Sequence, residues 1–371
     1  MTLLADLFFP LSPGLLLILG GLLVPFLTHR IGRVYVLALS AVLLVYLFAL
    51  PDGNHSTIFM LGYELELLRL DNLSRIFATA FLIAALLANI YAWHEPDRVQ
   101  RTAAQVYAGS AVAAALAGDL VTLFVFWELT AVSSVFLVWA SGTENAYRSG
   151  MRYLLIQVGS GVILLTGLIV HVTATGSISF DHLGLEAPGA WLIFLAFGIK
   201  CAFPLLHNWL QDAYSEATVT GTVVLSVFTT KLAVYTLARG FAGTEMLIWI
   251  GAAMAIFTIF YAVLENDLRR VLAYSLNNQL GFMVVGVGVG TELALNGVAA
   301  HAVASIFYKA LLFMSVGAVL FRTGSSKASE IGGLYKSMPW TAAFCLVGAA
   351  SISAVPLFSG FVTKSLIISA S

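Results

Sequence analysis

Runs of apolar residues, each near the roughly 20 that a helix needs to cross a bilayer, follow one another along this chain with only brief polar interruptions. Hydrophobic length, with Gly, Pro and charge punctuation, predicts spans near 11–28, 33–50, 72–93, 102–117, 119–141, 150–174, 190–210, 219–240, 246–264, 270–290, 294–321 and 339–369. Barrel-type alternation of apolar and polar residues is not seen. The expected fold class is therefore all-α, a polytopic transmembrane helical bundle with about 12 spans. The fourth and fifth spans meet across Gly118-Asp119, and the longest loop is about 51–71, which leaves one membrane domain over 1–371 and no soluble one. An acidic start containing Asp6, without a small-residue cleavage site, precedes the first run, which is read as a retained helix.

Composition agrees with this pattern. With 60% hydrophobic and 10% charged residues over 371 positions, and a mean hydropathy of +0.94, the chain is too apolar for a soluble domain of this size. Cys201 and Cys345 sit in apolar surroundings and form neither a disulfide framework nor a metal-ligand spacing, so no metal or cofactor is expected. A net charge of −1 without a basic stripe argues against nucleic acid.

The positive charges supply an orientation. Arg30, Arg33, Arg98, Arg101, Arg148, Arg152, Arg269, Arg270, Arg322, Lys327 and Lys336 all fall in odd-to-even connections, whereas the opposite loops hold acids such as Asp52, Glu64, Glu66, Asp181 and Glu186. Positively charged loops stay cytoplasmic, so the N-terminus is expected outside the cell (inner) membrane.

Four of the six lysines remain, and all four lie within apolar runs: Lys200, Lys231, Lys309 and Lys364. A lysine at a helix centre costs roughly 2.5–3.5 kcal/mol on insertion scales. Glu128, in the fifth span, is the acidic counterpart. Snorkelling from helix ends or gluing of helices is the structural alternative, most open to Lys364 near the end of the sequence. In the functional reading, low dielectric disfavours an ammonium and a nearby carboxylate holds it, so Glu128 beside Lys200 would make a switchable proton relay onward to Lys231. His301 precedes Lys309 by eight residues, roughly 80° around the same helix.

Two spans carry their charge next to proline. Lys200 is followed by Pro204, with His207, Asn208, Asp212 and Glu216 just beyond, and the twelfth span holds Pro356, Gly360 and Lys364. Proline removes a backbone donor, and broken helices bearing charge point to transport sites. Spans seven and twelve are five apart, an odd offset that predicts inverted five-helix repeats. After three N-terminal helices over about 1–101, the first repeat takes 102–240 and the second, incomplete one takes 246–371.

These residues resemble a known family, the antiporter-like subunits shared by Mrp-type Na+/H+ antiporters and respiratory complex I. The resemblance rests on Gly198-Ile-Lys200 through Pro204-Leu-Leu-His207-Asn-Trp209-Leu-Gln-Asp212 and Glu216, on Thr230-Lys231-Leu-Ala-Val-Tyr235, and on Asp267 through Tyr274 with Gln279-Leu-Gly281. His301 through Tyr308-Lys309, then Gly332-Gly-Leu and Pro356 through Lys364, complete it in order, covering about Asp71 to the end. The flavour is nearest the Mrp D type. The resemblance implies a hydrophilic axis in which Glu128 tunes the proton affinity of Lys200, the gate. Lys231 and Lys309, with His301, would relay to Lys364, the terminal exchange site. It also implies fourteen core helices and neighbouring membrane subunits. Gln211 and Thr218 stand where prolines are common, Ser305 where a second histidine is common, and the chain stops at Ser371 with two expected helices missing, as a truncated product would.

Two functions follow as expectations. One is an ion-translocating subunit exchanging protons for sodium or another monovalent cation. The other is a proton-pumping subunit of a complex I-like or hydrogenase-like redox assembly. No Cys-x-x-Cys, haem signature or glycine-rich nucleotide loop is present, so the isolated chain is not expected to be an enzyme. Ser133, Ser134, His207 and Asp212 raise an intramembrane hydrolase, against which stand the usual backbone bonding of membrane serines and the lack of a nucleophile elbow. A purely structural subunit is the remaining alternative.

Overall fold

The computed structural model describes residues 11–60 and 62–370. Asp6 and Ser371, named above, lie outside the described residues. The chain is mostly helical: α1 (Pro13–Leu22), α2 (His29–Ala49), α3 (Asn72–Tyr91), α4 (Arg98–Ala115), α5 (Leu120–Trp139), α6 (Glu144–Thr175), α7 (Ala190–Lys200) and α8 (Asn208–Glu216). It continues with α9 (Val219–Val227), α10 (Thr229–Gly240), α11 (Met246–Leu264), α12 (Leu268–Val289), α13 (Glu292–Thr323), α14 (Leu334–Ser337), α15 (Pro339–Ile352) and α16 (Ser359–Ala370). Among the described residues, seven helices are long and apolar enough to cross a membrane: α2, α3 with its following turn, α5, α6, the stretch Val219–Gly240, α11 and α13.

The stretch Val219–Gly240 is enclosed on all sides by the bundle, whereas α2 and α11 present most of their surface outward. Close helix approach uses glycine, because membrane helices gain by backbone contact where side chains are small. A Cβ on Gly14 of α1 would collide with the backbone of Gly109 and Ala113 on α4. Gly251 of α11 and Gly281 of α12 play the same reciprocal part, each Cβ falling 2.7 Å from the other's carbonyl oxygen.

Local structure recurs in two halves. Asp119 caps α5 and bridges Ser179, while Asp267 caps α12 and bridges Lys327. The helices that follow, α6 and α13, both run for 32 residues, start from a threonine cap (Thr143, Thr291) and end in a left-handed glycine (Gly176, Gly324). α7 and α15 then stop before short irregular stretches, each with two non-glycine residues in the left-handed region: Ala202 and Leu205 (φ 59° and 70°), then Ala354 and Leu357 (φ 56° and 77°). Such conformations are rare outside glycine and cost energy. The same backbone bonds close both stretches, Phe203 N to Gly198 O and Val355 N to Ala350 O, each at 3.0 Å.

One expectation needs correcting. The loop expected at 51–71 folds into an antiparallel hairpin, β1 (Gly53–Met60) with β2 (Tyr63–Leu70), so the chain is not purely α. The cause is visible in Tyr63-Glu-Leu-Glu, a period of two that suits a half-buried strand. An irregularity at Ser56/Thr57 shifts the register, and Leu65, Leu68 and Leu70 are buried. The hairpin is tied to the α4–α5 turn by Arg69 N to Leu116 O (2.7 Å), Gly118 N to Glu66 O (2.9 Å) and Glu66 N to Asp119 Oδ2 (2.8 Å).

Asp71 closes the same end of the bundle. It caps α3 through a reciprocal pair with Ser74 and accepts both bonds of Arg239 Nη2, at 2.9 and 2.7 Å. Burial alone would raise its proton affinity, but the Arg239 guanidinium and the Ser74 groups outweigh it and hold the carboxyl below the usual carboxylate range. A lowered folded-state value means that the ion pair stabilises the protein above the unfolded value and is lost as pH falls through the folded one. Asp71→Ala should cost about 1 kcal/mol from the cap together with the ion pair, whereas Asp71→Asn keeps a cap and loses only the charge. Thermal unfolding in detergent should show Asp71→Asn below wild type at pH 7 and the difference shrinking below about pH 4.

Candidate functional site

In each of the four lysines of the apolar runs the amine donates to a backbone carbonyl of another helix or helix segment. Lys200 Nζ reaches Trp127 O at 2.5 Å and Thr130 Oγ1 at 2.8 Å on α5, and lies 4.3 Å from the Trp127 ring centroid. Lys231 Nζ reaches Ser226 O at 2.7 Å across the interruption at Phe228 between α9 and α10. Lys309 on α13 donates to Leu272 O at 3.3 Å and Ser275 Oγ at 2.6 Å on α12. Lys364 on α16 reaches Ile352 O, at the end of α15, at 2.7 Å and sits 5.0 Å from the Phe282 ring centroid. Lys200, Lys231 and Lys309 are buried at 0–1% exposure and Lys364 is half-buried.

Among the described residues no carboxylate completes these contacts. Among the described residues, none of the ion pairs within 4.0 Å involves any of the four. Glu128 lies close enough to feel the charge of Lys200 without forming an ion pair, and its Oε1 has no hydrogen-bond partner. It crosses the bare Cα of Gly161 on α6, where any Cβ would run into its carboxylate. An amine bonded only to neutral oxygens keeps two donated bonds whether it carries two protons or three. Among the described residues no ion pair fixes it in either form.

The charges do reach one another. Lys231 and Lys364 both act electrostatically on His301 and on Lys309. His301 Nδ1 lies 2.8 Å from Thr363 Oγ1, next to Lys364, and its Nε2 is buried without a partner. Glu128 with Lys200 forms one group, and Lys231, His301, Lys309 and Lys364 another. Cys201, beside Lys200 in sequence, lies within the field of Lys231.

The flanking residues sort differently. Pro204 and Pro356 lie in the irregular stretches after α7 and α15, and Gly360 packs on Ser351 O where a Cβ could not fit. His207 packs against Phe257 with ring centroids 4.7 Å apart and planes tilted by 57°, and its Nδ1 has no hydrogen-bond partner. Asp212 pairs with Arg152 of α6 at 3.1 Å and Arg270 of α12 at 3.3 Å, and Glu216 feels Arg269. Ser133 and Ser134 both bond to backbone carbonyls of their own helix.

Arg269, read from the sequence as a loop charge, stands in the first turn of α12. It is 6% exposed, and its Nη2 donates to Tyr214 O (3.2 Å), Ala217 O (2.5 Å) and Thr222 Oγ1, clamping the junction of α8 and α9. Thr130, Gln157, Ser275 and the buried tyrosines escaped the sequence reading because neutral polar residues are ordinary in membrane helices.

This assembly, a bundle of long apolar helices with ionisable side chains in its interior, defines a polytopic integral membrane protein. The family described as NADH:quinone oxidoreductase/Mrp antiporter, TM matches residues 117–371, and the chain belongs to it. The chain is 30% identical over 273 residues to the D-type component of the Na(+)/H(+) antiporter of Alkalihalophilus pseudofirmus, covering 68% of this chain and 55% of that protein. It is 27% identical over 333 residues to the hydrogenase-4 component B of Escherichia coli, covering 80% and 50%. It thus spans about half the length of both. Among solved structures, the Mrp complex from Dietzia sp. is similar with a TM-score of 0.86 at 29% identity, over 96% of this chain and 43% of that one.

Arg269 bears on how α8 is held. Replacing it with Met should lower stability by roughly 1.5–3 kcal/mol, the range for hydrogen bonds to charged groups, with Arg269→Lys recovering part. Equal unfolding temperatures for wild type and Arg269→Met in the same detergent would contradict the clamp.

Proposed function

We propose that this chain is the ion-translocating subunit of a multi-subunit monovalent cation/proton antiporter, moving protons along Glu128, Lys200, Lys231, His301, Lys309 and Lys364. The observation that carries the reading is the set of four amines in apolar helices that are held by neutral oxygens and, among the described residues, free of fixed counter-ions. A merely structural lysine would be neutralised or would snorkel, because an uncompensated charge in hydrocarbon is expensive. Glu128 tunes Lys200, Lys231 and Lys309 relay, and Lys364 is the terminal exchange group.

The recurring caps, the paired 32-residue helices and the two matching left-handed breaks support an inverted repeat of five helices, with spans seven and twelve broken at their prolines. Twelve crossings, an N-terminus outside the cell membrane and neighbouring subunits of the same complex complete the proposal. Sodium or another monovalent cation is the counter-ion, in keeping with the names of the antiporter relatives. The hydrogenase relative and the M-type component of the NADH-quinone oxidoreductase of Pseudomonas aeruginosa, 28% identical with 83% of this chain covered, favour a second reading. In that reading the chain pumps protons in a redox-driven assembly. Small Mrp-like membrane proteins among co-purifying subunits favour the first, and iron–sulfur subunits the second.

Proteoliposomes of the purified protein with its co-purifying subunits test the axis. Lys200→Ala should slow gradient-driven proton movement by at least about tenfold, and full retention would support a structural role instead. Glu128→Gln should impair exchange and move its pH optimum, because the amine loses its charge partner, and an unchanged pH profile would count against that pairing.

A further inference from the structure

We propose that the groove between the end of α1, α4 and α5 holds an acyl chain of an anionic glycerophospholipid, whose phosphate is taken by Arg98. This goes beyond the transport reading and does not depend on it. The groove measures about 350 Å³, and its lining includes Pro25, Thr102, Val106, Leu129, Val132 and Phe136. Val132 and Phe136 are 46% and 41% exposed, so the groove opens on the outer surface of the bundle.

Positive charge gathers at one end of it. Arg98 is the first residue of α4, and its Nη1 donates to Pro25 O in the groove wall at 3.2 Å. A guanidinium has five donors, so most remain for a ligand. Among the described residues, Arg30, Arg33, Arg98 and Arg101 take part in no ion pair within 4.0 Å. Arg33 and Arg98 both act electrostatically on Arg101, as do the acids Glu95 and Asp97. Those acids give oxygens to backbone amides: Asp97 Oδ1 accepts from Val99 N at 2.8 Å, and Glu95 Oε1 from Asp97 N at 3.2 Å. Three guanidiniums against two carboxylates leave the positive charge in excess.

One turn further along α4 comes Thr102, on the same side of the helix as Arg98. Its Oγ1 is buried in the groove wall without a partner. Buried hydroxyls are normally paired, and the ester carbonyl of a glycerolipid is an acceptor that this one can donate to. From Arg98 to Val106 the helix rises about 12 Å, most of the roughly 15 Å of hydrocarbon in one leaflet of a bilayer core about 30 Å thick. Arginine, threonine and the apolar wall therefore follow in the order in which a phospholipid presents phosphate, ester and chain. A helix from a neighbouring protein would cover the apolar wall without supplying an anion to Arg98 or an acceptor to Thr102. Anionic lipids also gather where basic residues lie at a membrane surface, each basic residue contributing to the attraction.

Phosphatidylglycerol and phosphatidylcholine with the same palmitoyl and oleoyl chains test the site. Each is titrated into the purified protein with its co-purifying subunits in detergent, and bound lipid is counted by native mass spectrometry. The tightest site of the wild type should prefer phosphatidylglycerol by about fivefold, and Arg98→Gln should bring the two lipids to parity. Thr102→Val keeps the shape of the wall and should weaken both lipids alike, by about threefold. Val132→Trp fills the groove and should remove the site for both. Unfolding temperatures of the variants without added lipid should stay near wild type. Equal affinity of the wild type for the two lipids, or an unchanged preference in Arg98→Gln, would overturn the proposal. Crosslinking of Val132→Cys to a co-purifying subunit would place protein in the groove and overturn it as well.

Discussion

A lysine amine inside a membrane protein must find its hydrogen bonds within the protein, and here it finds them on neutral oxygens. The rest of the arrangement depends on that constraint. A carboxylate in direct contact would fix the ammonium, and hydrocarbon alone would expel it. Backbone carbonyls, together with Thr130 and Ser275, accept from the amine in either protonation state. Glu128 acts on Lys200 through its field without an ion pair.

Helix ends and interruptions supply the acceptors of Lys231 and Lys364, whereas Lys200 and Lys309 bond to residues inside α5 and α12. Lys231 bonds across the break at Phe228, Lys364 bonds the carbonyl that ends α15, and Lys200 is itself the last residue of α7. A carbonyl at a helix end is free to accept because no later amide claims it. The strained residues Ala202, Leu205, Ala354 and Leu357 keep these ends open, and such strain persists only where the surroundings over-determine it. Arg269 clamps the carbonyls after α8, while Leu272 and Ser275, one turn along the same helix, hold Lys309. One helix, α12, thus touches both the piece that follows Lys200 and the amine of Lys309.

How much was legible in the sequence depends on range. The stretch 246–264 and the long runs that became α6 and α13 were readable, because lipid demands a long apolar segment and tolerates few charges. The stretch 219–240 reads as one span, and its interruption at Phe228 carries no proline to announce it. The hairpin at 53–70 was hidden by the dominance of helical runs around it, although Leu and Glu alternate there. The lysines stood out because charge in hydrocarbon is costly. Asp212 did not reveal its partners, since Arg152 and Arg270 lie far from it in sequence. Thr130 and Ser275 were invisible for a related reason: a neutral polar residue gains its meaning only from what the neighbouring helices bring to it.

The central claim is that the ionisable groups are joined by a hydrated interior path. A cryo-EM map of the protein in lipid nanodiscs, at a resolution that places ordered water, tests it most directly. The account predicts water density linking Lys200, Lys231, Lys309 and Lys364 and contacting the unpartnered atoms of Glu128 and His301. Dry, side-chain-filled space between those amines, with no water within hydrogen-bond reach of them, would contradict it.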